Sequence, residues 1–255
     1  MSERALNVGL LITCLVDTMR PTVGFATVKL LEDNGCNVYV PKQTCCGQPA
    51  YNSGDRQDTV AIAKQNIELF ERYDYVVAPS GSCAGMVAAH YPELFRDEAS
   101  WATRARQLSA KTFEITSFLT DVLKVEAVSA AYRGKVAYHD SCAGLRELLI
   151  KQQPRKLLDS VDGLELTPLV SEEQCCGFGG TFCIKYSEIS DDIVDKKTED
   201  VIGTNADLLL AGDLGCLMNI AGKLKRKGSE IEVRHVVEVL ADMTDDVPAI
   251  AGKAS

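Results

Sequence analysis

Val8–Cys14 reads VGLLITC, an unbroken apolar run that ends on a small polar residue and a cysteine. A short run without polar alternation is what a strand buried on both faces of a parallel sheet looks like. The arrangement recurs along the chain. Asn37–Val40 precedes Cys45-Cys46-Gly47, and Tyr75–Ala78 precedes PSGSC at Pro79–Cys83. In the second half Lys135–His139 leads into Cys142, Leu164–Leu169 into Cys175-Cys176-Gly177, and Ala206–Ala211 into Gly215-Cys216. Amphipathic segments at Val23–Asp33, Asp58–Arg72, Pro154–Ser160 and Ile189–Ile202 lie between the strands. Thr112–Leu123 and Ile231–Ala241 each read as strand then helix. Strands alternating with helices predict an α/β fold built on parallel sheet.

The cysteines sort into two sets with one spacing. Cys14, Cys45, Cys46 and Cys83 are matched by Cys142, Cys175, Cys176 and Cys216 at offsets of 128, 130, 130 and 133 residues. Agreement at four positions marks an internal duplication. Two tandem repeats are therefore expected, 1–127 and 128–255, each a small parallel sheet flanked by helices, the pair related by pseudo-two-fold internal symmetry. Ala, Ser and Gly accumulate at Ala127–Gly134, which reads as the boundary.

Ten cysteines in 255 residues would suggest disulfides in an exported chain. The early apolar stretch Val8–Ile12 is too short to span a bilayer, and it lacks the basic flank and cleavage site of a secretory signal. A cytoplasmic location is expected, where thiols stay reduced and metal binding or redox chemistry is the better reading. A net charge of −9 with no basic run argues against a nucleic-acid partner.

Iron–sulfur clusters are held by cysteine thiolates, usually four, and each repeat carries four. Structural zinc sites usually show paired C-x₂₋₄-C knuckles, which this chain lacks; zinc and free or disulfide-bonded thiols are the competing readings. Gly47 and Gly177 would let the backbone turn sharply beside a bulky group. Gly179-Gly180 and Ser80-Gly81 offer further places of close approach.

A lone Cys, a Cys-Cys-Gly triplet and a further Cys, in TCLVD (Thr13–Asp17), TCCGQPAYNSG (Thr44–Gly54), PSGSC, CCGFGGTF (Cys175–Phe182) and GCLMNI (Gly215–Ile220), resemble the CCG domain. That domain occurs in the cysteine-rich component of heterodisulfide reductase and in glycolate oxidase iron–sulfur subunits. The pattern is closer still to the lactate-utilisation protein A family. The resemblance runs from about Asn7 to Ala241. It implies an iron–sulfur electron-transfer subunit of a three-component complex oxidising L-lactate to pyruvate, with two partner subunits, one ferredoxin-like. It implies Cys14, Cys45, Cys46, Cys83, Cys142, Cys175, Cys176 and Cys216 as ligands, with one [4Fe–4S] cluster per repeat. In the heterodisulfide reductase type each repeat ends in C-x-x-C, whose extra thiolate supports a non-cubane cluster. Here Met86 and Asn219 stand at that position, which favours the ordinary cluster and leaves a non-cubane form open. Cys183 departs from the family, where Ser is expected.

Cys36 and Cys183 have no counterpart in the other repeat and read as packed thiols. His139, three residues before Cys142, reads first as a structural hydrogen-bonding residue and second as a group that tunes a cluster. His90 and His235 read as structural. The acidic run Asp191–Asp200 reads as a solvated helix face, and Lys223–Lys227 as a solvated face or a dock for an acidic partner. The chain has no nucleotide loop and no flavin fingerprint. An electron-transfer subunit is thus favoured over a thiol–disulfide reductase or a metal scaffold.

Overall fold

A computed structural model describes residues 4–245 and 247–250; the outer ends assigned to the repeats, 1 and 255, lie outside them. The chain divides between Val125 and Glu126 into two units. In the first, β1 (Asn7–Leu10), β2 (Asn37–Tyr39), β3 (Tyr75–Ala78) and β4 (Thr112–Glu114) form one sheet in the order β2-β1-β3-β4, every pair parallel. In the second, β5 (Ala131–His139), β6 (Asp162–Thr167), β7 (Leu208–Ala211) and β8 (Glu232–His235) repeat that order as β6-β5-β7-β8, again all parallel.

The central apolar runs become strands because both faces are covered, whereas β2 and β6, expected as buried, lie at the sheet edges and are half-buried to exposed. Val8, Leu10, Val76, Val77 and Ala78 are buried in the first sheet, and all of β7 is buried in the second. Val136 sits between its register partners Leu166 and Leu208, so β5 is the interior strand that β1 is in the other unit. The amphipathic segments become helices at Pro21–Asp33, Arg56–Phe70, Gln152–Leu158 and Ser187–Gly203. Residues 131–134, expected as linker, instead begin β5, where the register shifts between Ala131 and Gly134.

The strand order matters for the site. From β1 the chain goes to one neighbour, β2, and then crosses to the other side for β3. Such a reversal opens a crevice at the carboxyl ends of the strands, where ligands bind in open α/β sheets. The loops after β1, β2 and β3 carry Cys14, Cys45-Cys46 and Cys83. Those after β5, β6 and β7 carry Cys142, Cys175-Cys176 and Cys216.

Candidate functional site

Each cysteine outside the triplets lies in the first turn of a helix, and for Cys14, Cys83 and Cys142 a side-chain cap fixes the start of that helix. Thr13 caps Cys14–Met19, its Oγ1 accepting from the Val16 N–H at 3.3 Å. Ser141 does the same for Cys142–Glu147 through Gly144, also at 3.3 Å. Ser80 Oγ accepts the N–H of Cys83 itself at 3.3 Å, capping the helix that carries it. Cys216 is the third residue of the helix Leu214–Arg226.

The Cys-Cys-Gly triplets turn on glycine. Gly47 and Gly177 have φ of +88° and +79°, a region L-residues rarely enter. Each turn sends an N–H back onto the first cysteine of its triplet: Gly47 N lies 3.5 Å from Cys45 Sγ and Gly177 N 3.3 Å from Cys175 Sγ. A helix, Gln48–Asn52, follows the first triplet directly. In the second unit Phe178 packs where a Cβ on Gly215 would stand, 2.4 Å from its ring.

The four thiols of each set meet. In the first unit Cys14 contacts Cys45, Cys45 contacts Cys46, and Cys46 lies 3.3 Å from Cys83, sulfur to sulfur. In the second the chain of contacts runs Cys142, Cys175, Cys176, Cys216. All ten cysteines are free, and 3.3 Å is far beyond a disulfide bond of about 2.05 Å. Both sets show one gradation: Cys14 and Cys142 exposed, Cys45 and Cys175 half-buried, and the other four buried. The eight residues read from the spacing are thus brought together as two separate quartets.

Without a bound cation the thiols compete for protons. Contact with Cys45, then burial, raises the Cys14 pKa, and contact with Cys175, then burial, raises that of Cys142. Cys175 goes the other way, lowered by hydrogen bonds from Cys142 and Cys176 and by the Gly177 N–H. Crowded thiols that resist joint ionisation, with glycine N–H groups aimed at Cys45 and Cys175, are chemically suited to a cationic centre that takes all four as thiolates.

The remaining cysteines stay outside. Cys36 is buried after the helix Pro21–Asp33, its N–H bonded to the Leu31 carbonyl. The Cys183 thiol points to the Gly180 carbonyl at 3.3 Å. Neither position of the extra family cysteine is idle: Met86 is fully buried, and the Asn219 amide donates to the Cys176 carbonyl at 2.8 Å.

The two charge runs of the second unit find each other. Lys223 bridges Asp191 and Asp195 at 2.8 and 3.0 Å, Lys227 meets Asp195 at 2.9 Å, and Arg226 lies 3.7 Å from Asp191. Lys197 and Asp200 turn inward from the same acidic helix. The buried ammonium donates to the Ser171 carbonyl at 2.6 Å, while the carboxylate accepts the N–H groups of Val170 and Ser171. The basic helix is therefore engaged within its own unit.

His139 is the residue beside the second quartet that spacing alone does not assign. It ends β5, is fully buried, and its ring lies with the Cys176 and Cys216 thiols, the three ligand atoms within 4.8 Å of one another. Burial and then Lys197 push its pKa down to about 3, so the ring is neutral. A cleft of about 640 Å³ lies elsewhere, lined by Tyr132, Asp207 and Glu232 near the amino ends of the second sheet's strands.

Residues 8–88 and 136–221 match the CCG cysteine-rich domain family. The chain is 51% identical over 236 residues to lactate utilization protein A of Shouchella clausii, covering 92% of this chain and 98% of that one. Lactate utilization protein A of Bacillus licheniformis is 52% identical over 236 residues, covering 92% and 99%. A crystal structure of a hypothetical protein from Helicobacter pylori shares the fold, with a TM-score of 0.69 at 12% identity over 96% of this chain. The chain spans 50% of that protein's length. No helix among the described residues is long and apolar enough to cross a membrane.

Proposed function

The chain belongs to the lactate utilization protein A family of CCG-domain proteins, and from that premise we propose that it is an iron–sulfur electron-transfer subunit of a multi-component system oxidising L-lactate to pyruvate. The carrying observation is that each unit gathers four thiols, from three loops, at the carboxyl edge of its sheet. The residues fit the group: Cys14, Cys45, Cys46 and Cys83 would hold one [4Fe–4S] cluster, and Cys142, Cys175, Cys176 and Cys216 a second. Such a cluster supplies reversible one-electron transfer.

The chain's own residues do the rest. Glycine N–H groups and helix first turns aim donors at the sulfurs. The buried cysteines screen the interior side of each site, while exposed Cys14 and Cys142 leave an edge that a partner's centre can approach. Lactate oxidation releases a hydride equivalent, which one-electron sites cannot accept alone, so another component of the system must handle the two-electron step. Two partner subunits complete the proposed system, one of them ferredoxin-like and passing single electrons. A thiol–disulfide reductase of the heterodisulfide type is less favoured, because Met86 and Asn219 bring no extra thiolate.

The test is metal analysis of protein purified without oxygen. Iron and acid-labile sulfide in near-equal amounts are expected, and stoichiometric zinc without sulfide would reject the reading. L-Lactate-dependent dye reduction should require the partner subunits; full activity from this chain alone would refute the subunit role.

A further inference from the structure

The second quartet has a neighbour that the first lacks. Counting back from Cys142, His139 occupies the place that Leu11 holds before Cys14. Leu11 is an apolar core residue, whereas His139 puts two polar ring nitrogens into an equally closed position. Neither nitrogen has a hydrogen-bond partner in the protein. A buried polar group left so is destabilising unless something supplies its partner. His235, equally buried, shows the ordinary solution: its Nδ1 accepts the Val237 N–H in a capping box with Glu238. His139 has no such use, and the Cys176 and Cys216 thiols lie within 4.8 Å of its ring nitrogen.

We propose that His139 donates its ring N–H to the cluster held by the second quartet, at a sulfide or a ligating cysteine sulfur, and thereby raises that cluster's reduction potential. The inference rests on the cluster reading above. An imidazole carries an N–H in either protonation state, and the four thiols proposed as ligands complete a cluster's usual set, so donation rather than ligation is its role. Reduction adds negative charge to the cluster, and a donor to sulfur stabilises the reduced form more than the oxidised one. The fixed charges nearby do not substitute for it. Lys197 is held by Asp200, Arg155 is paired with Asp140 at 2.7 Å, and Asp213 faces Cys216 with the opposite sign. In the first unit Ile62 stands against the glycine turn as Ile193 does in the second, which makes Asn66 the counterpart of Lys197, and no histidine takes Leu11's place.

The experiment uses the anaerobically purified full chain carrying Cys46→Ser, which leaves the second cluster alone to be titrated by EPR. His139→Leu added to that background should lower the midpoint, shifting the one-electron reduction equilibrium on the order of tenfold, as loss of one hydrogen bond to a charged group implies. His139→Gln, which keeps an N–H, should recover part of the shift. On the protein with His139 intact, ¹⁵N-histidine labelling should give a weak nitrogen coupling and an exchangeable proton coupling in the second cluster's spectrum. An unchanged midpoint in His139→Leu, or no nitrogen coupling at all, overturns the proposal while the cluster assignment stands. A strong, ligand-sized coupling also overturns it, making His139 a ligand. Zinc without sulfide would overturn the cluster reading and this inference together.

Discussion

The two units share a strand order, four thiols and a glycine turn, yet differ in the polar groups that support them. In the first, Asn66 donates to the Cys45 carbonyl at 2.9 Å and to the Tyr91 hydroxyl at 3.0 Å, and that hydroxyl donates to the Cys46 carbonyl at 2.8 Å. In the second, Asn219 holds the Cys176 carbonyl, Ser190 holds that of Gly177 at 2.8 Å, and Lys197 ties down the loop ahead of the triplet. The lesson is that duplication preserved the donor atoms and the backbone path that delivers them. The polar groups supporting that path were replaced, so two sites of one chemistry sit in different electrostatic surroundings.

The largest effect that would break the comparison concerns the thiols. Cys46→Ser should lose the first cluster and keep the second, and Cys176→Ser the reverse, each roughly halving iron by analysis of the purified protein. If either change emptied both sites, the quartets would not be independent. Cys36→Ser and Cys183→Ser should retain full iron.

The glycine turns sharpen it. A Cβ at Gly177 would lie 2.7 Å from the Ser190 carbonyl oxygen, whereas one at Gly47 would meet the Ile62 side chain at 3.3 Å. Both substitutions place alanine at positive φ, costing about 1–2 kcal/mol. Only Gly177→Ala adds collision with backbone, so urea denaturation should show the larger loss there. Equal losses would mean that the second loop relaxes as readily as the first.

Next come the supporting amides. Asn66→Ala removes two hydrogen bonds, to the Cys45 carbonyl and to the buried Tyr91 hydroxyl, while Asn219→Ala removes one and strands the Cys176 carbonyl. Losses of about 1–3 kcal/mol are expected for the first and less for the second. The same denaturation measurement ranks them, and the opposite order would show that the second loop depends more on its single amide.

The smallest effect is the helix clamp of the second unit. Hydrogen bonds from Lys227 and Lys223 hold the Asp195 carboxyl below the usual carboxylate range. A carboxyl depressed on folding contributes stability that is present above its ordinary pKa of about 3.9 and lost as pH falls through the depressed value. Asp195→Asn should therefore destabilise slightly near neutrality and flatten the acid limb of a stability–pH curve. An unchanged acid limb would show that these exposed pairs contribute nothing measurable.

The sequence by itself determined the strands, the duplication and the eight thiols, because each leaves a signal in spacing. An apolar run covered on both faces admits few other readings, and four matched offsets cannot be satisfied by scattered residues. Only the tertiary structure decided what surrounds those thiols. His139 is one letter at the end of a strand, and nothing local tells whether its nitrogens meet a partner or a closed space. Lys197 sits in a run of charges that reads as a solvated face, yet the rotation of its helix against the loop before Cys175 turns it inward. The Lys223–Lys227 run could not be read as paired until the fold laid its helix beside Asp191–Glu199. Contacts between segments far apart in the chain are set by packing, and packing leaves no periodic mark in either segment alone.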